Sequence, residues 1–569
     1  MNQSIASSDR SSVGSRAPAD VALISLTYSN SQVRVEEYLN AHPQTDILTI
    51  RDVRLYTLLH IACLNNQINI CRILFSFLQK SGTPKEQITD WVNTRTDEGF
   101  AAIHFASFKG NIEIIKMLEH HGARLDVRNQ RGLNVMHIAA QGDQPVSVAY
   151  FVRRGVSIYE KDENGSSPLH WAAYFGMENA TYFLTSWGCD PNEKDLEFGC
   201  TPLHLAISSG NGKVVRRLLV KGADKNIKNN EGKLPIDIAK ENDYEGIVDL
   251  LKARSWVVSY LNIKPELSRK RTKASLLLFI FLTIALLATN VLFAFPFIQQ
   301  KIFFILFCVF IGIMLLTFLF VWLKNPGYIS DKNANILELL ITYNPHLICP
   351  DCNIVKPDRS KHCEVCNECV AVYDHHCPWI NNCVGAKNYA WFVLFIVATC
   401  SALIYLVIFA GLHIPKGEDA INYKYTIYTV SDPTVLKYIK LGVCIVDIIV
   451  SLIFIFPLIG LNYLHFGNLM KGKTTGERFG FRAGRDTISR SNLGIDSASG
   501  DYARFTEPRE SRPKESREIA QNTDKGCFSN CVSMCCGNAA TQKYTVHSRP
   551  QSLMNRISRG SRSSNQNAN

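Results

Sequence analysis

The chain has 569 residues, 46% hydrophobic and 20% charged, with a formal net charge of +11; that is several domains of ordinary overall composition. The basic residues gather beside hydrophobic runs and in the tail, which favours a membrane surface and argues against a nucleic-acid partner. Its 18 cysteines include compact metal-type spacings that suit a reduced, cytosolic setting better than disulfides. No apolar h-region marks a secretory signal peptide, so the first hydrophobic span must act as the membrane signal.

Residues 1–20 are Ser-rich with few large apolar side chains, and disorder is expected there. An internal repeat then occupies residues 21–255. Its markers are His60, His104, His137, His170 and His204, with Asp237 in the sixth place, at steps of 44, 33, 33, 34 and 33 residues. Around them run TLLHIA, AAIHFA, NVMHIA, SPLHWA, TPLHLA and LPIDIA. A period of 33 with a T-P-L-H-x-A opening is the signature of ankyrin repeats. Thr201 or Ser167 can cap a helix, and Pro202 or Pro168 suits its first turn. Gly110 and Gly210 help end the first helix of a pair. The 44-residue step implies an insertion in the polar stretch from Lys80 to Glu98. Asp237 marks a divergent last repeat, and residues 21–40 look like a degenerate leading one. The repeat histidines are expected to be structural, bonding backbone between neighbouring repeats, because stacking holds them apart and no CxxC accompanies them.

A basic linker, residues 256–273, carries Arg269, Lys270, Arg271 and Lys273. Four apolar spans follow: Ala274–Phe297 and Ile302–Leu323 within residues 274–323, Ala390–Leu412, and about Leu441–His465 within residues 438–466. Each is about long enough to cross the roughly 30 Å core of a bilayer as a helix. Basic residues crowd the linker, the region 324–389 (Lys324, Lys356, Arg359, Lys361, Lys387) and the segment after the fourth span (Lys471, Lys473, Arg478, Arg482, Arg485). The positive-inside rule places all three in the cytosol with both termini, and the loop 413–437 in the lumen. Asp447, inside the fourth span, is expected to face one side or to pair with a polar neighbour.

The chemistry concentrates between Cys349 and Phe392, where seven cysteines accompany His362, His375 and His376. Compact CxxC pairs are the spacing of tetrahedral thiolate zinc sites. Two Cys3His sites would use six cysteines and two histidines, leaving one of each. If His362 and His376 are ligands, the remainder can be Cys377 and His375, preceded by Asp374. A thiol, an imidazole and a carboxylate at close quarters are what nucleophilic catalysis needs. The alternative is a structural double zinc finger with Asp374 and His375 solvated.

The pattern C-x2-C-x9-H-C-x2-C-x2-C-x4-D-H-H-C-x5-C-x4-N-x3-F runs through this stretch without a gap and resembles the DHHC protein S-acyltransferases, or palmitoyltransferases. The resemblance implies one zinc on Cys349, Cys352, His362 and Cys369, and a second on Cys363, Cys366, His376 and Cys383. It makes Cys377 the acyl-carrying nucleophile, activated by His375 and Asp374. Asn325-Pro326-Gly327 stands where the family usually has Asp-Pro-Gly. Thr474-Thr475-Gly476-Glu477 matches the family's TTxE, which implies that Thr475 holds Asp374. In the tail, 467–569, residues 522–530 resemble a C-terminal segment of the family, with Asn530 as a packing residue. Cys527, Cys531, Cys535 and Cys536 suit acylation or plain packing better than a third metal site.

The expected fold class is therefore all-α and multidomain: an ankyrin solenoid, then a four-helix transmembrane domain bearing a cytosolic, double-zinc, cysteine-rich domain. It resembles the ankyrin-repeat branch of the DHHC enzymes, the Akr-type and huntingtin-interacting members, although those usually have six spans. The resemblance implies transfer of palmitate from palmitoyl-CoA to membrane-proximal cysteines of substrate proteins, at an internal membrane that is most commonly the Golgi. In the huntingtin-interacting members an asparagine and a tryptophan grip a substrate peptide; the matching positions are Asn65 and Phe105. A non-enzymatic ankyrin scaffold with an inert zinc domain is the competing reading, and an ankyrin-bearing channel fits less well.

Overall fold

The computed structural model describes residues 18–252, 273–290, 301–331, 333–412 and 433–478. The expectations for residues 1–17, for most of the basic linker, for the far end of the first span and for the tail with its cysteine cluster and Asn530 lie outside the described residues. The chain divides into two compact units, one of residues 1–270 with 330–356 and the other of residues 271–329 with 357–569.

In the first unit, short helices follow one another in pairs. They are α1 (Pro18–Tyr28) with α2 (Gln32–Ala41), and α3 (Leu58–Leu64) with α4 (Ile68–Lys80). After α5 (Lys85–Val92) come α6 (Ala102–Lys109) with α7 (Ile112–His120), and α8 (Val135–Gln141) with α9 (Pro145–Arg153). Then come α10 (Pro168–Tyr174) with α11 (Glu178–Ser186), α12 (Pro202–Ser208) with α13 (Gly212–Val220), and α14 (Pro235–Glu241) with α15 (Glu245–Leu251). The polar stretch from Lys80 to Glu98 is thus partly helical, because Ile88, Trp91 and Val92 of α5 share one face and are buried.

Each marker histidine sits at the third position of the first helix of its pair and closes the helix entrance. Nδ1 of His60, His104, His170 and His204 accepts the N-cap backbone N–H at 3.0–3.1 Å, and His137 does so at 3.4 Å. Asp237 substitutes one of its carboxylate oxygens for that nitrogen, 3.0 Å from Leu234 N. With Nδ1 accepting, Nε2 carries the proton, and in His104, His137 and His170 it donates onward to the backbone of the next repeat. His104 reaches Val127 O at 3.2 Å, His137 reaches Ser166 O at 3.1 Å and His170 reaches Glu193 O at 3.0 Å. These histidines are structural.

After residue 330 the chain returns to the first unit through α18 (Ile336–Thr342) and the hairpin of β2 (Ile348–Cys349) with β3 (Ile354–Val355). Leu337, Leu340 and Ile348 are buried in the same apolar core as the solenoid helices.

The second unit opens with α16 (Ala274–Thr289) and α17 (Lys301–Leu323), and ends with α19 (Tyr389–Leu412) and α20 (Pro433–Lys471). Among the described residues three helical stretches are long and apolar enough to cross a membrane: Ile302–Leu323, Tyr389–Leu412 and Leu441–Lys471. The described part of α16 is shorter, at 16 residues. The last helix begins at Pro433, earlier than residue 438. Asp447 has the polar partner expected of a carboxyl in an apolar helix: Asn290 Nδ2 donates to it at 2.9 Å, and both side chains are buried.

The molecule is mostly helical rather than all helical, because the cysteine-rich stretch folds as short strands. In the second unit these are β1 (Tyr328–Ile329), β4 (Lys361–Cys363), β5 (Glu368–Val370), β6 (His375–Cys377) and β7 (Asn382–Val384). The strands pair in the order β1-β5-β4 and as β6-β7. The three hairpins of the stretch repeat one design. Cys349, Cys363 and Cys377, 14 residues apart, each face the residue five further on: Ile354, Glu368 and Asn382. Each turn ends in an asparagine, Asn353, Asn367 or Asn381, with φ of 53°, 57° and 47°, the left-handed region that asparagine tolerates better than most residues.

Candidate active site

The alternation of side chains along a strand sorts the candidate metal ligands from the candidate catalytic groups. On β6, His375 and Cys377 share one face while His376 points to the other. His376 stands opposite Cys383 on β7, and its Nδ1 lies 3.7 Å from Cys383 Sγ, 3.4 Å from Cys366 Sγ and 3.8 Å from Cys363 Sγ. Cys366 Sγ and Cys383 Sγ are 3.5 Å apart. Four ligands at about 2.0–2.3 Å from a tetrahedral zinc stand about 3.4–3.8 Å from one another, so these four residues fit the ion. The Cys366 backbone N–H points at Cys363 Sγ from 3.4 Å, a donor that favours a thiolate there.

The same alternation divides β4. His362 faces Cys369 across the β4–β5 pair, Nδ1 to Sγ 3.8 Å, while its neighbour Cys363 turns to the group just described. The other two cysteines of the expected first site lie on the β2–β3 hairpin of the first unit. Cys349 and Cys352 are both buried there, with their thiols within 4.8 Å of one another.

Cys377 opens the third hairpin in the place that Cys349 and Cys363 hold in the other two. Three residues on, where those hairpins have Cys352 and Cys366, stands Ile380, fully buried. The hairpin thus keeps the turn of a metal knuckle but lacks the second thiol, and Cys377 belongs to neither metal group. This fourteen-residue repeat was readable in the sequence as CPDCN, CEVCN and CPWIN, and it is the signal that singles out Cys377 without reference to the histidines.

His375 Nδ1 is 2.7 Å from Asp374 Oδ2 and donates to it, which leaves Nε2 to act on the Cys377 thiol, two residues on and on the same face of β6. Burial alone would lower the imidazole pKa, but Asp374 and Cys377 outweigh it and raise His375 to about 9. Burial likewise opposes the charge of Asp374. His375 and the Thr475 N–H overcome that and hold the carboxyl below its ordinary value. Thr475 meets Asp374 twice, with its backbone N–H 2.5 Å from Oδ1 and its hydroxyl 3.0 Å from Oδ2. Glu477 of the same motif closes its own turn, accepting from Thr474 N at 2.6 Å, and holds Arg359 through both carboxylate oxygens at 2.6 and 2.8 Å.

Sequence reasoning missed two residues around this relay. Asn468, fully buried on α20, donates from Nδ2 to Thr475 Oγ1 at 2.9 Å. That occupies a lone pair of the hydroxyl and leaves its proton directed at Asp374. His465, one turn earlier, is buried with Nδ1 3.0 Å from the Tyr389 hydroxyl and its ring 6.0 Å from that of His375. A histidine in so apolar a helix was the available signal; Asn468 had none. On its other side Cys377 packs among Ile380, Val384, Phe392, Phe395, Met314 and Leu469, an apolar cluster built by the ends of the long helices.

Asn325 closes the turn that follows α17, since its amide oxygen accepts Gly327 N at 2.7 Å and Tyr328 N at 2.8 Å. Gly327 itself stands at φ 108°, open to glycine and strained for other residues. Asn382, conspicuously polar at the helix junction, donates to Trp322 O at 3.1 Å and Lys324 O at 3.2 Å and so ties β7 to the end of α17. The two residues expected to grip a substrate peptide differ in setting. Asn65 is exposed at the C-cap of α3. Phe105 is 7% exposed, with the rings of Tyr56, His60 and Phe100 at 5.3–5.8 Å, and belongs to the solenoid core.

Residues 342–481 match the DHHC palmitoyltransferase family, and three overlapping stretches, 28–129, 103–195 and 188–255, match ankyrin repeats. The chain is 29% identical over 430 residues to human palmitoyltransferase ZDHHC17, covering 63% of this chain and 66% of that one. It is 27% identical over 415 residues to human palmitoyltransferase ZDHHC13, covering 61% and 65%. To the zebrafish (Danio rerio) putative palmitoyltransferase ZDHHC13 it is 27% identical over 405 residues, 60% and 61%. The matches therefore span a little under two thirds of the length of these relatives.

Proposed function

We propose, for a chain that joins ankyrin repeats to a DHHC palmitoyltransferase domain, a membrane-bound protein S-acyltransferase working through an acyl-Cys377 intermediate. The observation that carries this reading is the relay Thr475–Asp374–His375, in which each member holds the next, with Cys377 on the same face of β6 as His375. His375 takes the thiol proton on Nε2, and Asp374 steadies the imidazolium through Nδ1. The Cys377 sulfur attacks the thioester carbonyl of palmitoyl-CoA. The carbon–sulfur bond to CoA breaks, and the CoA thiolate leaves with the proton held by His375. A substrate cysteine then attacks acyl-Cys377, its thiol proton passing through His375 back to the Cys377 sulfur as that sulfur is released.

Apolar side chains beside Cys377 support a long acyl donor, since each buried methylene is worth about 0.8 kcal/mol. Cys349, Cys352, His362 and Cys369 would hold one zinc and Cys363, Cys366, His376 and Cys383 a second; such closed four-ligand sites would lend the hairpins rigidity and offer no reactive position. The ankyrin repeats recruit protein substrates whose cysteines lie near the bilayer, with Asn65 as the polar contact. The repeats, the cysteine-rich domain and both ends face the cytosol of an internal membrane, the Golgi first among them.

Acyl-biotin exchange on a substrate protein incubated with wild type or Cys377→Ser tests the proposal. Transfer by the wild type and none by the variant is expected. Full transfer by Cys377→Ser would remove the proposed intermediate.

A further inference from the structure

The solenoid reaches the cysteine-rich stretch through more than apolar contact. Asp351, inside the Cys349–Cys352 turn, lies 2.7 Å from Lys221 Nζ and 3.4 Å from Arg217 Nη2, both on or just beyond α13. The Lys221 and Asp351 side chains are only 3% and 4% exposed. The Arg217 guanidinium lies 3.7 Å from the centre of the Tyr182 ring on α11, and the Tyr182 hydroxyl is 3.4 Å from Cys349 Sγ. An acid within a metal knuckle is usually solvated. This one is enclosed by two cations of one repeat, and the first cysteine of the turn has a phenol of the preceding repeat beside its sulfur.

A buried ion pair adds little net stability, because desolvation offsets the attraction, but removing one partner strands the other without water. The pair therefore acts on register: any other docking of residues 344–356 would bury Asp351 or Lys221 unpaired. A phenol O–H aimed at a cysteine sulfur favours its thiolate form, and partners of this kind orient metal ligands and tune how tightly the ion is held.

We propose that the ankyrin solenoid is a working part of the zinc-binding domain: Lys221 and Arg217 fix the Cys349–Cys352 turn through Asp351, and Tyr182 donates a hydrogen bond to the Cys349 thiolate. This rests on the reading of Cys349 and Cys352 as zinc ligands, and it gives the repeats a task separate from substrate recruitment. The repeats hold the Cys349–Cys352 turn in its ligating shape.

The test uses the full chain in detergent with Cys377→Ser, so that acylation does not enter. Zinc release to the chromogenic chelator 4-(2-pyridylazo)resorcinol is timed, and hydrogen exchange is followed in peptides covering residues 344–356. In Tyr182→Phe, which keeps the ring and removes the hydroxyl, one of two zinc equivalents should leave about tenfold faster while the other keeps its rate. Tyr174→Phe, an exposed tyrosine one helix away, should change neither. Lys221→Met should raise exchange across residues 344–356, and Lys221→Met with Asp351→Leu should restore protection, because neither buried partner of that pair is then left alone while Arg217 keeps the Tyr182 ring and the Ser186 hydroxyl. Unchanged zinc release in Tyr182→Phe together with unchanged exchange in Lys221→Met would overturn the proposal. Were the purified chain free of zinc, the exchange arm would decide the docking alone. Failure of the Cys377 enzyme to acylate would sink the acyltransferase reading and move neither readout.

Discussion

Thr475→Val isolates the link between the last helix and the catalytic pair. The substitution keeps shape and backbone, so the 2.5 Å bond from residue 475 N–H to Asp374 Oδ1 survives, while the 3.0 Å hydroxyl bond to Oδ2 is lost. Asp374 is 4% exposed, so water does not easily replace the missing donor. Hydrogen bonds to charged groups are worth about 1.5–3 kcal/mol, and each 1.36 kcal/mol is tenfold in rate. If the whole bond served to hold His375 in its reactive orientation, self-acylation would fall about 10- to 100-fold; the surviving N–H contact puts the expectation near the lower end. Single-turnover acylation with labelled palmitoyl-CoA, measured alongside zinc content, is the assay. Thr475 belongs to neither metal group, so zinc should stay near two per chain while the rate drops. Acylation at the wild-type rate, or loss of zinc in step with activity, would refute the claim that Thr475 acts through Asp374.

Asn468→Ala should slow the same single turnover by a few-fold, about one neutral hydrogen bond's worth, by freeing the Thr475 hydroxyl to rotate. Asn468→Asp should be slower still, because a carboxylate accepts that hydroxyl proton and turns it away from Asp374; a faster Asn468→Asp than Asn468→Ala would count against this account. His375→Ala should keep its zinc and acylate about 100-fold or more slowly for want of a base. Cys383→Ala should lose one zinc equivalent by elemental analysis and loosen β6–β7 with it; the reverse pattern would exchange the roles of the two faces of β6. The solenoid should weaken in acid. Burial lowers His60 to about 3 and His104 and His137 to about 4 in the folded chain, against about 6.5 in an unfolded one. Below pH 6.5 the unfolded state therefore binds more protons, and stability falls with pH by about 1.4 kcal/mol per unit for each such histidine until its folded pKa is reached. Hydrogen exchange of repeat peptides at pH 7 and 5, corrected for intrinsic rates, reads this; equal protection at the two values would contradict the buried, neutral histidines.

The repeats were legible because one residue type does one job at a fixed place: the histidine at the third helical position closes the helix entrance, in His104, His137 and His170 it also bonds the next repeat, and Asp237 keeps the entrance bond. The cysteine-rich stretch was legible because compact CxxC pairs carry the spacing of a metal site, and the structure gathers those residues into groups that could hold one. What escaped the sequence has particular causes. Helix α5 was hidden because only Ile88, Trp91 and Val92 mark its buried face amid polar neighbours. Phe105 aligns with a peptide-gripping position, yet its environment is set by Tyr56, 49 residues earlier in the chain. Short strands in the island follow from turns at Asn353, Asn367 and Asn381, which length and hydropathy do not report. Asn468 and Asp351 act through partners whose proximity is tertiary, and no local pattern announces them.

The most direct test of the central claim is to locate the acyl group. Full-length protein incubated with palmitoyl-CoA, digested and analysed by mass spectrometry with and without hydroxylamine, should show a hydroxylamine-labile palmitoyl group on the peptide containing Cys377, discharged when a substrate protein is added. A label confined to other cysteines, or one on Cys377 that substrate never discharges, would contradict the account.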